Sequence, residues 1–368
     1  METKQLPSLA LFNHFQLEDK MTAIEPCGNG HINDTFLAKN GAKKEKFILQ
    51  RINHHIFKDV DLLQNNIQTV TSHIREKLIA SGETDIDRKV LSFLPTQDGK
   101  FYHFDGTNYW RVCRYIPDSK TCEKLNSELS YEAGKAFGRF QWMLSDMPEG
   151  KLGETIPHFH NMEFRLKQFQ EAIDANVADR LDTAWDLVNI LLECSELFCV
   201  QERLFREGKL KKRINHCDTK VNNILFDEKG KALCVIDLDT VMPGFVFSDI
   251  GDFIRTACNM GAEDDPDLDR IQVNMEIFQA YTHGYMETAK SFLSPLEIQL
   301  LPYGGRLLTY MQIVRFLTDY LNGDTYYKTH SPLHNWQRSM AQFKLLLELE
   351  AKASEMEAFM DFYNNGSE

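Results

Sequence analysis

One short segment of the chain holds several residues with the chemistry of phosphoryl transfer. It reads INHCDTKVNNILFD over residues 214–227, and between its apolar flanks lie His216, Asp218, Lys220 and Asn223. Phosphoryl transfer needs a carboxylate for the proton of the acceptor hydroxyl, oxygen ligands for magnesium, and positive charge near the migrating group. Asp218 is predicted to be the base, Lys220 to meet the γ-phosphate, and Asn223 to bind the metal through its amide oxygen. His216 is predicted to order the loop by hydrogen bonds.

A second motif follows in the order that protein kinases use. The stretch ALCVIDLDT places Asp237 at the end of an apolar run, and NILFDEKGKALCVID reads as a hairpin with its turn at DEKGK. Kinases deliver a metal-binding Asp just after such a hairpin, and a hard cation prefers carboxylate oxygen. The segment 214–227 alone could be a turn rich in Asp and Asn. The two motifs together favour a site for magnesium and ATP, with Asp239 as a second ligand or a structural acceptor.

A glycine-containing turn near the start of the chain is a candidate for the ATP phosphates. The stretch EPCGNGHINDTF (25–36) separates two predicted strands. Backbone N–H groups at Gly28 and Gly30 could cradle phosphate oxygens; the alternative is a tight hairpin without function. His31, with Asn33 and Asp34, could face either the phosphates or the acceptor.

Other charged stretches carry weaker predictions. In FSDIGDFIR (247–255), Asp249 is predicted to cap a helix that starts at Ile250. Asp252 and Arg255 then share a helix face, as a surface ion pair or with Arg255 reaching the acceptor site. The acidic run EDDPDLD is predicted to open a helix, and the His-Phe-His run 158–160 to lie at the surface or in the core.

Composition argues against several classes of partner. The 368 residues carry a net charge of −13, which is unfavourable for binding nucleic acid or an anionic membrane. Eight scattered cysteines without a Cys-x-x-Cys pair indicate reduced thiols. The chain starts without a signal-peptide pattern, and no apolar run approaches the roughly 20 residues that span a bilayer. We therefore expect a cytoplasmic protein whose partners are small molecules.

The elements that must position these groups change character along the chain. Predicted strands MTAIEPC, DTFLAKN and KFILQRIN come first, then a helix over about 57–80, then strand candidates KVLSFLP, KFYHFDG and NYWRVCRYIP. After Pro117 the pattern is mostly helical, and Pro117 disfavours helix at Ile116. The predicted fold class is α+β, with a small antiparallel sheet plus one helix in 1–115 and a larger helical part in 116–368.

Helices are predicted at seven places after this boundary. Two of them are SELSYEAGKAFGRFQWMLSD, with small residues at packing positions, and NMEFRLKQFQEAIDAN. The others cover about 179–207, 249–259, 267–290, 294–322 and 336–359.

Taken in order, these motifs resemble the aminoglycoside-phosphotransferase and choline-kinase superfamily. They resemble the bacterial N-acetylhexosamine 1-kinases more closely, through NHCDTKVNNILFD, IDLDTVMPG and DIGD, and through IEPCGNGHIN, WRVCRYI, EAGKAFGRFQ, PHFHN and DYLNGDTYY over nearly the whole chain. The resemblance implies a bilobal protein-kinase-like fold, ATP and magnesium. It also implies phosphorylation of the anomeric hydroxyl of N-acetylglucosamine or N-acetylgalactosamine.

The resemblance also implies roles for individual residues. Asp218 would be the base, with Asn223 and Asp237 as the metal ligands. The segment 114–117, which contains Tyr115, would be the hinge against adenine. Residues implied to lie near the sugar or the phosphates are His31, Arg255, Tyr326 and Asn335.

One position departs from the kinase pattern. Kinases carry a lysine on the third strand for the α- and β-phosphates, whereas FILQRIN offers Gln50 and Arg51. Strand alternation lets only one of the two face the cleft. Arg51 could replace the charge, and Gln50 could only form hydrogen bonds. Two alternatives stay open: a related kinase acting on choline, an amino alcohol, an aminoglycoside or another sugar, and a non-catalytic pseudokinase. The chain could be a monomer or a dimer.

Overall fold

An antiparallel sheet of five strands forms the N-terminal part of the molecule. The computed structural model describes residues 6–18, 20–28, 32–41, 45–122, 125–148 and 150–365. The strands are β1 Ala23–Pro26, β2 Asp34–Lys39, β3 Lys46–Ile52, β4 His103–Phe104 and β5 Tyr109–Arg114. Their spatial order is β1-β2-β3-β5-β4. The pairing of β1 to β3 as consecutive neighbours agrees with the hairpins predicted from the sequence.

The sheet is buried on both faces because its central strand is apolar on both. Phe47 and Leu49 of β3 pack into one core cluster, while Ile52 faces a second cluster on the opposite side. The second cluster is filled by helix α1 (Val60–Ala80), which begins after Asp59, whose carboxylate accepts the N–H of Leu62 at 2.8 Å. This cap agrees with the preference for Asp before the first turn of a helix.

The remainder of the chain is mainly helical. Its helices are α2 Ser127–Leu144, α3 Met162–Ala175, α4 Leu181–Glu193, α5 Val200–Arg206, α6 Val246–Ala257, α7 Met275–Ala289, α8 Pro295–Gln299, α9 Leu301–Leu321 and α10 His334–Asn365. Two short antiparallel pairs interrupt them: β6 Arg213–Asn215 with β9 Met242–Gly244, and β7 Ile224–Phe226 with β8 Ala232–Val235. The predicted α+β fold with a sheet-rich and a helical lobe is confirmed, and the boundary at 115/116 stays a prediction.

Two predicted elements are wrong. KVLSFLP (89–95) forms no strand and touches β5 only at isolated points, such as the N–H of Leu94 on the carbonyl of Val112 at 2.9 Å. Pro95 follows at once and has no N–H with which to extend the pairing. The acidic run 263–269 opens no α-helix: Asp265 accepts the nearby N–H of Asp267 at 3.0 Å and so favours a turn, and the run leads only into a single 3-10 turn, Leu268–Arg270. Helix α7 begins later, after Asn274.

Helix α6 lies unusually close to α9. A Cβ atom at Gly304 would lie 2.0 Å from the carbonyl oxygen of Phe247, and one at Gly251 would lie 2.3 Å from that of Gly304. Only glycine permits such an approach of two helix backbones. The contact fixes α6, whose acidic side chains hold the segment 214–227. Within the described residues, no helix combines the length and the apolar character that crossing a membrane requires.

Candidate active site

A buried carboxylate on α6 holds the backbone of the loop after β6, residues 216–223, which we call the catalytic loop. Asp249 accepts the N–H of His216 and the N–H of Cys217, each at 2.8 Å, and the side-chain amide of Gln141 at 2.7 Å. Cys217 has a φ of +63°, a strained value for a residue with a side chain. The two amide contacts stabilise it. Asp249 is therefore not the helix cap that the sequence predicted, since α6 begins at Val246.

His216 connects the catalytic loop to the strand that precedes Asp237. Its imidazole is fully buried, lies edge-on to Phe137 and Phe140, and bonds through Nε2 to the carbonyl of Ile236 at 2.8 Å. This geometry agrees with the prediction that His216 orders the loop and does not touch a substrate.

The predicted base lies between a cation and an amide. Lys220 Nζ is 3.0 Å from one carboxylate oxygen of Asp218, and the amide nitrogen of Asn223 donates to the other at 3.0 Å. Burial alone would raise the pKa of Asp218, but the charge and hydrogen bond of Lys220, with smaller contributions from His216 and Asn223, together outweigh it and lower that pKa. Asp218 in turn raises the pKa of Lys220. Both side chains are thus charged at neutral pH, and both remain accessible, 26% and 42% exposed.

The two predicted metal ligands are neighbours. The N–H of Ile236 donates to the carbonyl of Asn223 at 2.9 Å, and Asp237 follows with a φ of +60° and an exposed side chain. The surrounding protein, and then the charges of Asp239 and Asp218, raise the pKa of Asp237 to about 7. A concentration of negative charge of this kind favours a bound cation. The amide nitrogen of Asn223 is used by Asp218, so its oxygen is the atom left for a metal.

These groups fit magnesium in the way that nucleotide-dependent enzymes hold it. Among the described residues, no three His, Cys, Asp or Glu side chains converge as a metal-binding group. Magnesium commonly takes one or two protein oxygens and completes its octahedral shell with phosphate oxygens and water. Asp237 and Asn223 would supply the protein share.

The buried positive charge at the sheet comes from β5. Gln50 and Arg111 are partners across β3 and β5, and Arg111 Nε donates to Gln50 Oε1 at 2.9 Å. Arg111 also lies 2.6 Å from a carboxylate oxygen of Asp239, and both side chains are almost fully buried. Arg51 points to the other face, where it is half exposed and pairs with Asp34. Of the two residues that the sequence left open, Gln50 therefore lies on the side of Arg111, and a phosphate contact of Arg51 stays a prediction.

The glycine-containing turn is tied to the same network. Gly30 and His31 lie outside the described residues. Gly28 has a φ of +72°, a conformation that favours glycine. Beyond the turn, Asn33 donates to Asp239 at 2.6 Å and accepts the N–H of Asn53 at 2.9 Å. The sheet, the turn and the metal-ligand strand thus meet at Asp239, which is a structural acceptor.

Tyr115 follows β5 in the predicted hinge. Its N–H donates to the carbonyl of Lys46 at 3.2 Å, and the ammonium group of Lys46 lies 5.1 Å from the centre of its ring. Because the N–H of Tyr115 is already used by Lys46, a backbone N–H contact to adenine would have to come from a residue further along the hinge.

Three arginines from three helices meet at Phe159 and Tyr327; we call Arg165, Arg315 and Arg338 the arginine cluster. Arg315 lies 5.4 Å from the centre of the Phe159 ring and 5.7 Å from that of Tyr327. Arg338 lies 5.9 Å from the Tyr327 ring. Arg165 donates to the carbonyl of Phe159 at 3.0 Å. Burial and then the charge of Arg315 lower the pKa of Arg165 to about 10, so it keeps its charge at neutral pH.

The aromatic loop beside the cluster is held by one buried acid. Asp319 accepts the N–H groups of Thr325, Tyr326 and Tyr327 at 2.8, 2.8 and 3.0 Å. Tyr326 is exposed, and its neighbour Tyr327 contacts the arginines. Asn335 is fully buried and donates to Asp319 at 2.8 Å, which indicates a structural role and corrects its prediction as an acceptor contact.

Arg255 is neutralised within the protein. It lies 2.9 Å from Asp252 on its own helix and also pairs with Glu263. Asp252 in addition accepts the N–H of Thr219 at 3.1 Å. The pair is buried and belongs to the support of the catalytic loop, so the reading as a surface ion pair is wrong. A contact between Arg255 and the acceptor stays a prediction.

The comparison with protein families decides the class of enzyme. Residues 23–285 match the model of the phosphotransferase enzyme family, and this range contains the sheet, the catalytic loop and Asp237. The chain belongs to the phosphotransferase enzyme family.

Solved structures share the fold of this phosphotransferase at low sequence identity. An aminoglycoside phosphotransferase from Alicyclobacillus acidocaldarius is 11% identical with a TM-score of 0.58, over 99% of this chain and 97% of that one. A spectinomycin phosphotransferase in complex with ADP and spectinomycin is 14% identical with a TM-score of 0.57, over 95% and 97%. The ethanolamine kinase of Plasmodium vivax is 14% identical with a TM-score of 0.52, over 87% and 81%. At these identities the likeness shows the fold.

The surroundings of the arginine cluster contain a histidine that resists protonation. Burial, followed by the charges of Arg315 and Arg165, lowers the pKa of His160 to about 3. The unfolded chain takes up this proton near pH 6.5. The contribution of His160 to the free energy of unfolding is therefore fully present above about pH 6.5. It is lost as the pH falls toward 3, by at most roughly 1.4 kcal/mol per pH unit.

We expect His160→Asn to lose less stability than the wild type between pH 6.5 and 4. Urea unfolding at several pH values would give the two slopes of the free energy of unfolding. His158→Asn, at an exposed position two residues earlier, is the matched control and should keep the wild-type slope. Equal slopes for all three proteins would show that His160 protonates normally in the folded state.

Proposed function

We propose that this phosphotransferase uses ATP and magnesium to phosphorylate a hydroxyl group of a sugar. The acceptor we favour is the anomeric hydroxyl of an N-acetylhexosamine, N-acetylglucosamine or N-acetylgalactosamine. The observation that carries the proposal is the position of Asp218, held between Lys220 and Asn223 on a loop whose backbone is fixed by Asp249. The sequence resemblance to the N-acetylhexosamine 1-kinases supports the choice of acceptor.

In this proposal each part of the site has one task. Asp218 orients the acceptor hydroxyl and takes its proton, and Lys220 stabilises negative charge on the phosphoryl group. Asn223 and Asp237 would hold magnesium, which would neutralise the phosphate oxygens when bound. The turn at Gly28, Gly30 and His31 would lie over the phosphates. Tyr115 would lie beside the adenine.

The lowered pKa of Asp218 favours an acidic hydroxyl. A base is most effective when its pKa is matched to the proton that it removes. An anomeric hydroxyl is more acidic than an ordinary alcohol, so a weakly basic carboxylate suits it better than it suits choline or ethanolamine.

The charge of the acceptor side supports a sugar over a cationic acceptor. Choline and aminoglycosides carry positive charge, which Arg315 and Arg338 would repel at short range. Guanidinium groups donate well to hydroxyl and amide oxygens, and aromatic rings such as Tyr326 and Tyr327 pack against the apolar face of a sugar.

The test is release of ADP with a panel of acceptors in the presence of magnesium. We expect turnover with N-acetylglucosamine or N-acetylgalactosamine and a product phosphate that is acid-labile and non-reducing. A product that keeps its reducing end would mean a different hydroxyl. Turnover with choline or an aminoglycoside alone would reject the sugar assignment, and a complete lack of turnover would indicate a pseudokinase.

A further inference from the structure

The arginine cluster, whose members are partly buried, differs from other buried or partly buried arginines of the protein. Arg111, Arg213 and Arg180 each contact a carboxylate at 2.6 Å. In the described part of the chain, the side-chain hydrogen bonds of the cluster go instead to neutral oxygens. Arg165 donates to Gln168 at 2.8 Å, Arg315 to Gln312 at 3.2 Å and Arg338 to Asn335 at 3.0 Å.

This grouping is unusual for a protein with a net charge of −13. Charges brought together without a counterion repel each other and cost free energy. Two acids on which the charge of Arg338 acts weakly, Glu263 and Asp264, have nearer partners: the first pairs with Arg255 and the second lies 2.8 Å from His334. Each of these two acids therefore already has another partner within hydrogen-bond distance.

The cluster has a fixed geometry. Arg165 lies on α3, Arg315 on α9 and Arg338 on α10. Arg315 and Arg338 share the ring of Tyr327, and Arg165 and Arg315 share Phe159. Side chains that are packed in this way lose little additional freedom when they bind a ligand.

The cluster is also within reach of the predicted base. Arg255 donates to Gln342, one turn along α10 from Arg338, at 3.5 Å. Asp252, the partner of Arg255, accepts the N–H of Thr219 beside Asp218 at 3.1 Å. A single small molecule could therefore touch the cluster with one end and present a hydroxyl to Asp218 with the other.

We propose that the acceptor sugar carries an anionic substituent, a carboxylate, phosphate or sulfate, which the arginine cluster binds. This inference rests on the proposed sugar kinase function. Guanidinium groups bind such anions through paired, charge-assisted hydrogen bonds. A bound anion supplies a counterion that the residues described by the structure do not provide, and it fixes the sugar with its anomeric carbon toward Asp218.

The experiment compares kcat/KM for N-acetylglucosamine with its 6-phosphate and 6-sulfate, and for glucose with glucuronic acid. We expect the anionic member of each pair to be preferred by about tenfold or more, the effect of a hydrogen bond between charged groups. KM for the anionic sugars should rise with added KCl, whereas KM for the neutral sugars should change little.

Variants at two positions connect the preference to the cluster. Arg338→Gln and Arg315→Gln should reduce kcat/KM for the anionic sugars at least several-fold more than for the neutral ones, and Arg315→Lys should restore part of the loss. Arg306→Gln is the matched control, because Arg306 lies on α9 like Arg315 but pairs with Glu350 and Glu357. It should leave the preference intact.

The outcomes separate this inference from the proposed function. If N-acetylglucosamine is preferred to both of its anionic forms, the inference fails and the sugar kinase assignment stands. If only glucuronic acid reacts, the anionic acceptor stands and the N-acetylhexosamine assignment fails. A preference for cationic acceptors rejects both. If no sugar reacts, calorimetry with N-acetylglucosamine 6-phosphate still decides, because absent binding to the wild type overturns the inference.

Discussion

Asp218→Asn is expected to abolish turnover while leaving nucleotide binding intact. The substitution removes the basic oxygen pair but keeps the size of the side chain. Loss of a general base lowers turnover by about 10²–10⁴-fold, and here it also removes the negative charge that lies 3.0 Å from Lys220. Freed from Asp218, Lys220 would bind phosphate oxygens at least as well. We therefore expect an ATP affinity equal to or above that of the wild type, measured by calorimetry with magnesium present.

The control for this variant is Asp186→Asn, which changes the net charge equally at an exposed position on α4. It should match the wild type in both measurements. Turnover of Asp218→Asn within tenfold of the wild type would reject Asp218 as the base. Loss of both turnover and ATP binding would instead point to a collapse of the catalytic loop, which the melting temperature would reveal.

The sequence predicted the parts of the site that depend on short-range order. His216, Asp218 and Asn223 lie on one loop at fixed offsets, and a single hairpin connects that loop to Asp237. Local connectivity of this kind leaves few possible geometries, so residue types and spacing were enough. The antiparallel order of β1 to β3 was predictable for the same reason, because consecutive hairpins pair neighbouring strands.

The parts that the sequence did not predict depend on contacts between distant segments. The three members of the arginine cluster come from α3, α9 and α10, and only the packed fold shows that they converge on Phe159 and Tyr327. Asp249 reaches the catalytic loop in the same way, across more than thirty positions of the chain. Spacing along the sequence carries no signal for such pairs.

A usable signal was nevertheless present at two positions. Arg111 interrupts the apolar strand YWRVC, and Arg315 interrupts the apolar run IVRFL. An arginine in a segment that is otherwise buried needs a partner, since burying a lone charge is very costly. Such arginines mark either a buried ion pair, as at Arg111, or a ligand site, as proposed for Arg315. The sequence alone does not separate these two cases.

Arg111→Met is expected to be the most destabilising of the substitutions discussed. Arg111 and Asp239 are only 2% and 4% exposed, so the change would leave a carboxylate buried without its cation. Removing one partner of a buried ion pair typically costs about 3–5 kcal/mol of the free energy of unfolding. Gln50 would also lose the donor at 2.9 Å. Denaturation with urea would measure the loss, and a change below about 1 kcal/mol would contradict a buried pair.

A second substitution separates the stability of this pair from its part in catalysis. Asp239→Asn removes the orphaned charge of the Arg111→Met variant and keeps an oxygen for the 2.6 Å hydrogen bond from Asn33. The double variant should therefore regain much of the lost stability, since a buried pair replaced as a whole is often close to neutral. Strictly additive losses would contradict the pairing. If Arg111 also supplies the positive charge that attracts the nucleotide phosphates, the double variant will fold well and still show a raised KM for ATP. If KM for ATP and the stability both return toward their wild-type values, Arg111 serves only to hold Asp239 in place. Through Asp239 it would then also hold the turn at Asn33.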